Sequence, residues 1–113
     1  MAEDAAEDMA LGGNITLSGF KDISKQELIV VKKIVGSYAR KLSDNVPDFQ
    51  ELKVNMKAVH KTEASEKYEL HCSVFYGGEH FDVEVVERNL FMGLDEVLRK
   101  VTEHAMKDAQ KRG

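Results

Sequence analysis

One cysteine, one proline and no tryptophan stand in this chain of 113 residues. Cys72 alone cannot close an internal disulfide, and such sparing use of cysteine fits a reducing compartment. Pro47 is the sole proline, so nearly the whole chain is free to enter helices and ladders. No apolar run approaches the roughly 20 residues of a membrane span. The N-terminus has neither the basic region nor the apolar core of a signal peptide, so a cytoplasmic location without membrane contact is expected. Charge of one sign is also lacking: 16 basic and 20 acidic residues leave a formal net charge of -4. That balance disfavours bulk polyanion binding and predicts no DNA partner, but it leaves room for a local patch of positive charge.

The residues that are present alternate and repeat informatively. Residues 1–13 are small and acidic, end in Gly12-Gly13, and are expected to form a flexible tail before a single domain at 14–113. Ile15 and Leu17 alternate with Thr16 and Ser18, which predicts a short strand over 14–20. Ser24 followed by Glu27 is a capping-box pattern, so a helix should start there and run to about Ser43. Its expected buried stripe is Leu28, Val31, Val35, Tyr38 and Leu42. Turn formers around Pro47 precede a second strand, Glu51 to Lys61, and Phe49 is expected to cover an end of the core. A polar turn at Thr62–Glu66 leads to a third strand, Tyr68 to Tyr76.

Gly77-Gly78 joins that strand to another alternating run, which is a hairpin signal. A two-residue loop would set Val74 against Phe81, Cys72 against Val83 and Leu70 against Val85, all apolar on one face. A slip of one residue would break this agreement. Asn89 is the expected cap of a last helix, with Leu90, Leu94, Val97, Leu98, Val101 and Ala105 inward. Lys107, Lys111 and Arg112 fall in its last turns, at the negative end of the helix dipole.

The element order is therefore β-α-β-β-β-α, an α+β fold. Its four-stranded mixed sheet should have order 1-2-3-4, the first two strands being parallel across a helical crossover. Both helices need one apolar surface and are expected on the same face. The opposite face would stay open, lined by Lys53, Asn55, Lys57, Glu69, His71, Ser73, Phe75, Asp82 and Glu84.

His71, Cys72, His80 and Asp82 are near in sequence, but Cys72 points away from His71 and no standard zinc spacing occurs. No metal site, cofactor or catalytic group is expected. Cys72 is a core position, and no nucleophile or acid–base constellation can be assembled. Gly77-Gly78 opens no helix and so lacks the context that cradles phosphate. The sharper signal is on the first helix. Lys25, Lys32, Lys33 and Arg40 fall within about a quarter of its circumference, without an acid among them. Such a stripe suits RNA phosphates, whereas the plainer reading is a solvated face. Lys41 lies further round, and Lys53 and Lys57 on the adjoining strand would extend the positive surface. The open sheet face, with Phe75 and His71, is an alternative surface for a protein contact, including a homodimer.

The order of elements and the segment Tyr76-Gly77-Gly78-Glu79-His80-Phe81-Asp82-Val83, continuing to Asn89-Leu90-Phe91-Met92-Gly93-Leu94-Asp95, resemble the ribosome hibernation-promoting factor family of ribosome-associated inhibitors. The opening Asn14-Ile15-Thr16-Leu17-Ser18-Gly19 and the helix end Tyr38-Ala39-Arg40-Lys41-Leu42 are similar in place and character. The resemblance covers about residues 14–108. It implies binding to rRNA of the small ribosomal subunit, in the channel used by messenger and transfer RNA, and inhibition of translation by occlusion. The implied RNA contacts are Lys25, Lys32, Lys33 and Arg40, with Arg99, Lys100 and Lys107 on the last helix. Two features depart from the family pattern. Asp95, Glu96 and Glu103 dilute the basic residues of the last helix, and the chain ends at Gly113 without the dimerising domain of long members.

Overall fold

The computed structural model describes residues 9–10, 14–59 and 67–112. Its strands are β1 (Met9–Ala10), β2 (Ile15–Ser18), β3 (Phe49–Val59), β4 (Lys67–Tyr76) and β5 (Glu79–Glu87). Its helices are α1 (Lys25–Asn45), between β2 and β3, and α2 (Leu90–Arg112), at the end. The sheet runs β1-β2-β3-β4-β5 in space, with β2 and β3 parallel and the other pairs antiparallel. The four long-range strands thus take the expected order. Met9 and Ala10 add a two-residue edge strand inside the stretch expected to be a tail. The rest of that stretch, and the turn expected at Thr62–Glu66, lie outside the described residues.

Local chemistry accounts for the boundaries. The Ser24 hydroxyl accepts from the Glu27 amide at 3.1 Å and the Glu27 carboxylate accepts from the Ser24 amide at 3.0 Å, which is the full capping box. At α2, the Asn89 side chain accepts from the Met92 amide at 3.0 Å. Gly77 and Gly78 both have positive φ, 54° and 80°, as a type I′ turn requires. The register that this turn imposes pairs Val74 with Phe81, Cys72 with Val83 and Leu70 with Val85.

Both helices cover one face of the sheet, with α2 lying along β4 and β5. The core joins Val31, Val35, Ala39 and Leu42 of α1 to Leu52, Val54, Met56, Leu70, Cys72 and Val74 of the sheet and to the apolar stripe of α2. Three assignments shift. Ala39 is buried, whereas Leu28 and Tyr38 are half-buried at the margin of α1. Tyr76 is also buried, at 1 % exposed, because α2 extends past the turn and covers it. Phe81, Val83 and Val85 are half-buried, since β5 is an edge strand with a neighbour on one side only.

A polar cluster ties the turn to the helix ends. Arg112 donates to both carboxylate oxygens of Asp48, at 2.8 and 2.9 Å, and its guanidinium lies 5.3 Å from the Tyr76 ring centroid. The Gly77 amide donates to the Asp48 carbonyl at 3.0 Å. Arg112 therefore does more than complement the helix dipole: it joins α2 to the loop before β3.

Candidate nucleic-acid interface

The two helices lie side by side over the shared core, bridged by a polar contact with a groove beside it. Tyr38 of α1 donates to the Asp95 carboxylate of α2 at 2.6 Å. Burial, and next the hydrogen bond to Asp95, raise the Tyr38 hydroxyl from 10.0 to about 12. On either side of this bond the groove opens into two adjoining hollows that share Tyr38 and Lys41. One, of about 470 Å³, is lined by Lys33, Ile34, Ser37, Tyr38, Lys41 and Asp95. The other, of about 360 Å³, adds Arg99, Thr102, Met106, Lys107 and Gln110 from α2, with one acid, Glu103.

The expected contact residues of the two helices divide into three groups. Lys33 of α1 and Arg99 and Lys107 of α2 line the groove, and Lys41 lies between them. In the sequence Lys41 falls outside the acid-free sector of α1. Only the position of α2, packed on the sheet beside α1, makes it central. Lys25, Lys32 and Arg40 line neither of these two hollows, although Lys33 shares their sector of α1; Lys32 is half-buried and the other two are exposed. Lys100 pairs with Glu96 at 3.1 Å and faces β5, in a hollow with Phe81, Val83 and His104.

Lys53 and Lys57 do not extend the helical surface. They alternate with the buried Leu52, Val54 and Met56, so they project from the opposite side of the sheet. Lys53 instead places its ammonium 5.4 Å from the Phe75 ring centroid. On its strand neighbour, His80 stacks with Phe75 at 5.5 Å between centroids. The half-buried Phe75 ring is thus already flanked by its own neighbours and is a poorer platform for a base or a partner chain than the sequence suggests. His71 pairs with Glu84 across the ladder, and His80 lies 3.6 Å from Asp82 on its own strand. Cys72 is buried between the sheet and α2, and burial raises its thiol from 9.0 to about 12. No group of three or more metal-ligating side chains converges among the described residues, and none of their helices is long and apolar enough to cross a membrane.

The groove also contains a residue that sequence reasoning missed. Thr102 is 1 % exposed, and its hydroxyl has no hydrogen-bond partner among the described residues. Thr102 borders the apolar stripe of α2 in the sequence, but its burial depends on what packs beside that helix.

No protein-family model matches the chain, and no curated protein matches it in sequence. Its fold is similar to the crystal structure of the N-terminal domain of Thermus thermophilus Protein Y. That likeness has a TM-score of 0.52 at 14% sequence identity, and covers 88% of this chain and 99% of that one. At this identity the likeness is one of fold.

Proposed function

We propose that this protein is an RNA-binding, non-enzymatic factor that associates with the small ribosomal subunit and inhibits translation by occluding the path of messenger and transfer RNA. The observation that carries this reading is the inter-helix groove, which gathers Lys33, Lys41, Arg99 and Lys107 from two elements against one lining acid beside Tyr38 and one, Glu103, further along. Lys25, Lys32 and Arg40 add positive charge along the flank of α1. Two agreements support the assignment to rRNA: the sequence resembles ribosome hibernation factors, and the fold resembles the Protein Y domain. Folded RNA offers phosphates at a fixed spacing, which a rigid pair of helices can match by charge and shape.

Co-sedimentation with purified small subunits across a salt series tests the proposal. If four cations each neutralise one phosphate, affinity should fall roughly 50- to 150-fold for a fourfold rise in salt. The double substitution Lys33→Glu with Lys41→Glu should abolish sedimentation with the subunit. Absence of binding at low salt, or binding that ignores both the salt and the substitutions, would refute the function.

A further inference from the structure

β5 is the long open edge of the sheet. It has β4 on one side and no strand on the other, while the opposite edge ends in the two-residue β1. Its pairing with β4 runs unbroken from Tyr76–Glu79 to Tyr68–Glu87, without proline, glycine or bulge in β5. A two-residue turn makes Tyr76–Glu79 a hydrogen-bonded pair, so Glu79, Phe81, Val83, Val85 and Glu87 turn their backbone groups to β4. The N–H and C=O groups of His80, Asp82, Glu84 and Val86 therefore point away from β4, in the plane of the sheet, as a template for one more strand. The two faces of that edge differ. On the helix side, the half-buried Phe81 and Val83 floor a hollow of about 300 Å³ beside α2, where Phe81 stacks on His104 at 3.7 Å between centroids. Lys100, Lys107 and Glu103 complete its lining, two cations to one acid. On the open side stand Asp82 and Glu84, and neither pairs with a lysine or arginine among the described residues. β5 as a whole holds four acids, Glu79, Asp82, Glu84 and Glu87, and no lysine or arginine. Those charges oppose a second copy, because two β5 strands centred on each other would set Asp82 opposite Glu84 twice. They favour a strand that carries basic residues on that face.

We propose that β5 is a docking edge for an extended segment of another protein, one whose residues alternate between basic and apolar. The segment lies antiparallel on β5 and continues the ladder. Its lysines or arginines stand opposite Asp82 and Glu84, and their backbone N–H and C=O groups bond to those two residues. Its apolar residues fall between, over Phe81 and Val83, where Lys100 and Lys107 would repel a cation. RNA does not fit this edge, because the carboxylates repel its phosphates. Docking at β5 is independent of RNA binding in the inter-helix groove.

Amide hydrogen exchange and fluorescence anisotropy on the full chain test this with a labelled nine-residue peptide of alternating lysine and valine. Bound peptide should slow exchange at His80, Asp82, Glu84 and Val86, the amides that face outward, and leave Phe81, Val83 and Val85 as protected as before. The same peptide methylated on the backbone nitrogens of its lysines should bind more weakly by about 5-fold or more, the effect of losing two main-chain hydrogen bonds. A peptide of the same composition with its lysines and valines in separate blocks should also lose affinity, since charge alone does not match the edge. Asp82→Lys with Glu84→Lys should transfer binding from the lysine–valine peptide to a glutamate–valine one, which an unfolded variant could not do. No protection at the four outward amides, equal binding of the methylated or block peptide, or an unchanged preference in the charge-reversed variant would each overturn the docking edge. Dimerisation of the free chain with slowed exchange at those amides would assign the edge to a second copy instead. Protection of the same amides by a single-stranded RNA 12-mer alone would assign it to RNA, and either result refutes the proposal. Failure of the chain to bind small subunits would leave the docking edge standing.

Discussion

Replacing glycine by alanine should have opposite effects in the two helices. In an unobstructed helix interior the change is worth about 1 kcal/mol, because glycine loses more backbone entropy on folding. Gly36 meets that condition: a methyl group there would find no atom within 4 Å. Gly36→Ala should therefore stabilise the fold by about 1 kcal/mol and raise the midpoint of thermal unfolding by roughly 4–8 °C. Gly93 sits on the buried side of α2, where an added Cβ would come within 2.6 Å of Leu70 Cδ1 and 2.9 Å of Glu87 Cβ. Leu70 has no exposed surface into which to swing, and Glu87 Cβ is fixed by the β5 backbone. Overpacking of this kind costs about 1–3 kcal/mol, which exceeds or cancels the propensity gain. The expected net effect of Gly93→Ala is a loss of up to about 2 kcal/mol. Urea or thermal unfolding of both variants gives the answer, with circular dichroism as the probe. A stabilised Gly93→Ala variant would refute the close packing of α2 on β4 and β5. A destabilised Gly36→Ala variant would show that the flank of α1 is not open. Unaltered RNA binding by Gly36→Ala would further show that no ligand backbone approaches at that position.

Other outcomes follow from the same contacts. Tyr38, Cys72 and Tyr76 each titrate near 12 in the fold, against ordinary values of 10.0, 9.0 and 10.0. The leading cause is burial in all three. Their protonated forms are the ones folding favours, so stability is intact below the ordinary values and is lost as pH rises from them towards 12. Thermal midpoints should fall across that interval, and a flat profile would contradict the burial. Cys72 should react with a thiol reagent only as fast as the protein unfolds, since the thiolate is the reactive form. Arg112→Ala should lower the thermal midpoint by freeing α2 from Asp48 and Tyr76, and an unchanged midpoint would make the cluster incidental. Lys33→Gln with Lys41→Gln should weaken RNA binding and flatten its salt dependence, whereas Lys53→Gln with Lys57→Gln should leave both unaltered, because the sheet separates the two pairs.

The strands, helices and hairpin register were legible in the sequence because each depends on near neighbours. The capping box at Ser24, the glycine pair at Gly77-Gly78 and the alternation of β3, β4 and β5 act over a few residues, and no distant contact overrules them. The parallel pairing of β2 with β3 followed from topology, since a helix long enough to cross the sheet stood between them. Positions at the margin of a layer were less legible. Tyr76 alternates onto the same side of its strand as Leu70, Cys72 and Val74, but how far α2 extends over that side decides whether it is covered. Phe81, Val83 and Val85 have the same pattern as a central strand and are half-buried only because β5 has one neighbour.

The interface shows the same division. Sequence periodicity ranked basic residues within α1 and could not rank them between helices, because periodicity contains no information about the direction from which a second helix arrives. The packing of α2's apolar stripe on β4 and β5 sets that direction, and the Tyr38–Asp95 hydrogen bond, across 57 positions, bridges the helices that it brings together. That packing turns Lys41 from an outlier into the centre of the groove, joins Lys33 to Arg99 and Lys107, and encloses Thr102. Alternation alone sent Lys53 and Lys57 to the far face of the sheet. Local patterning determined which side chains each element presents. Only tertiary packing decided which of those sides meet, since that depends on contacts between residues too far apart in the chain for any local pattern to record.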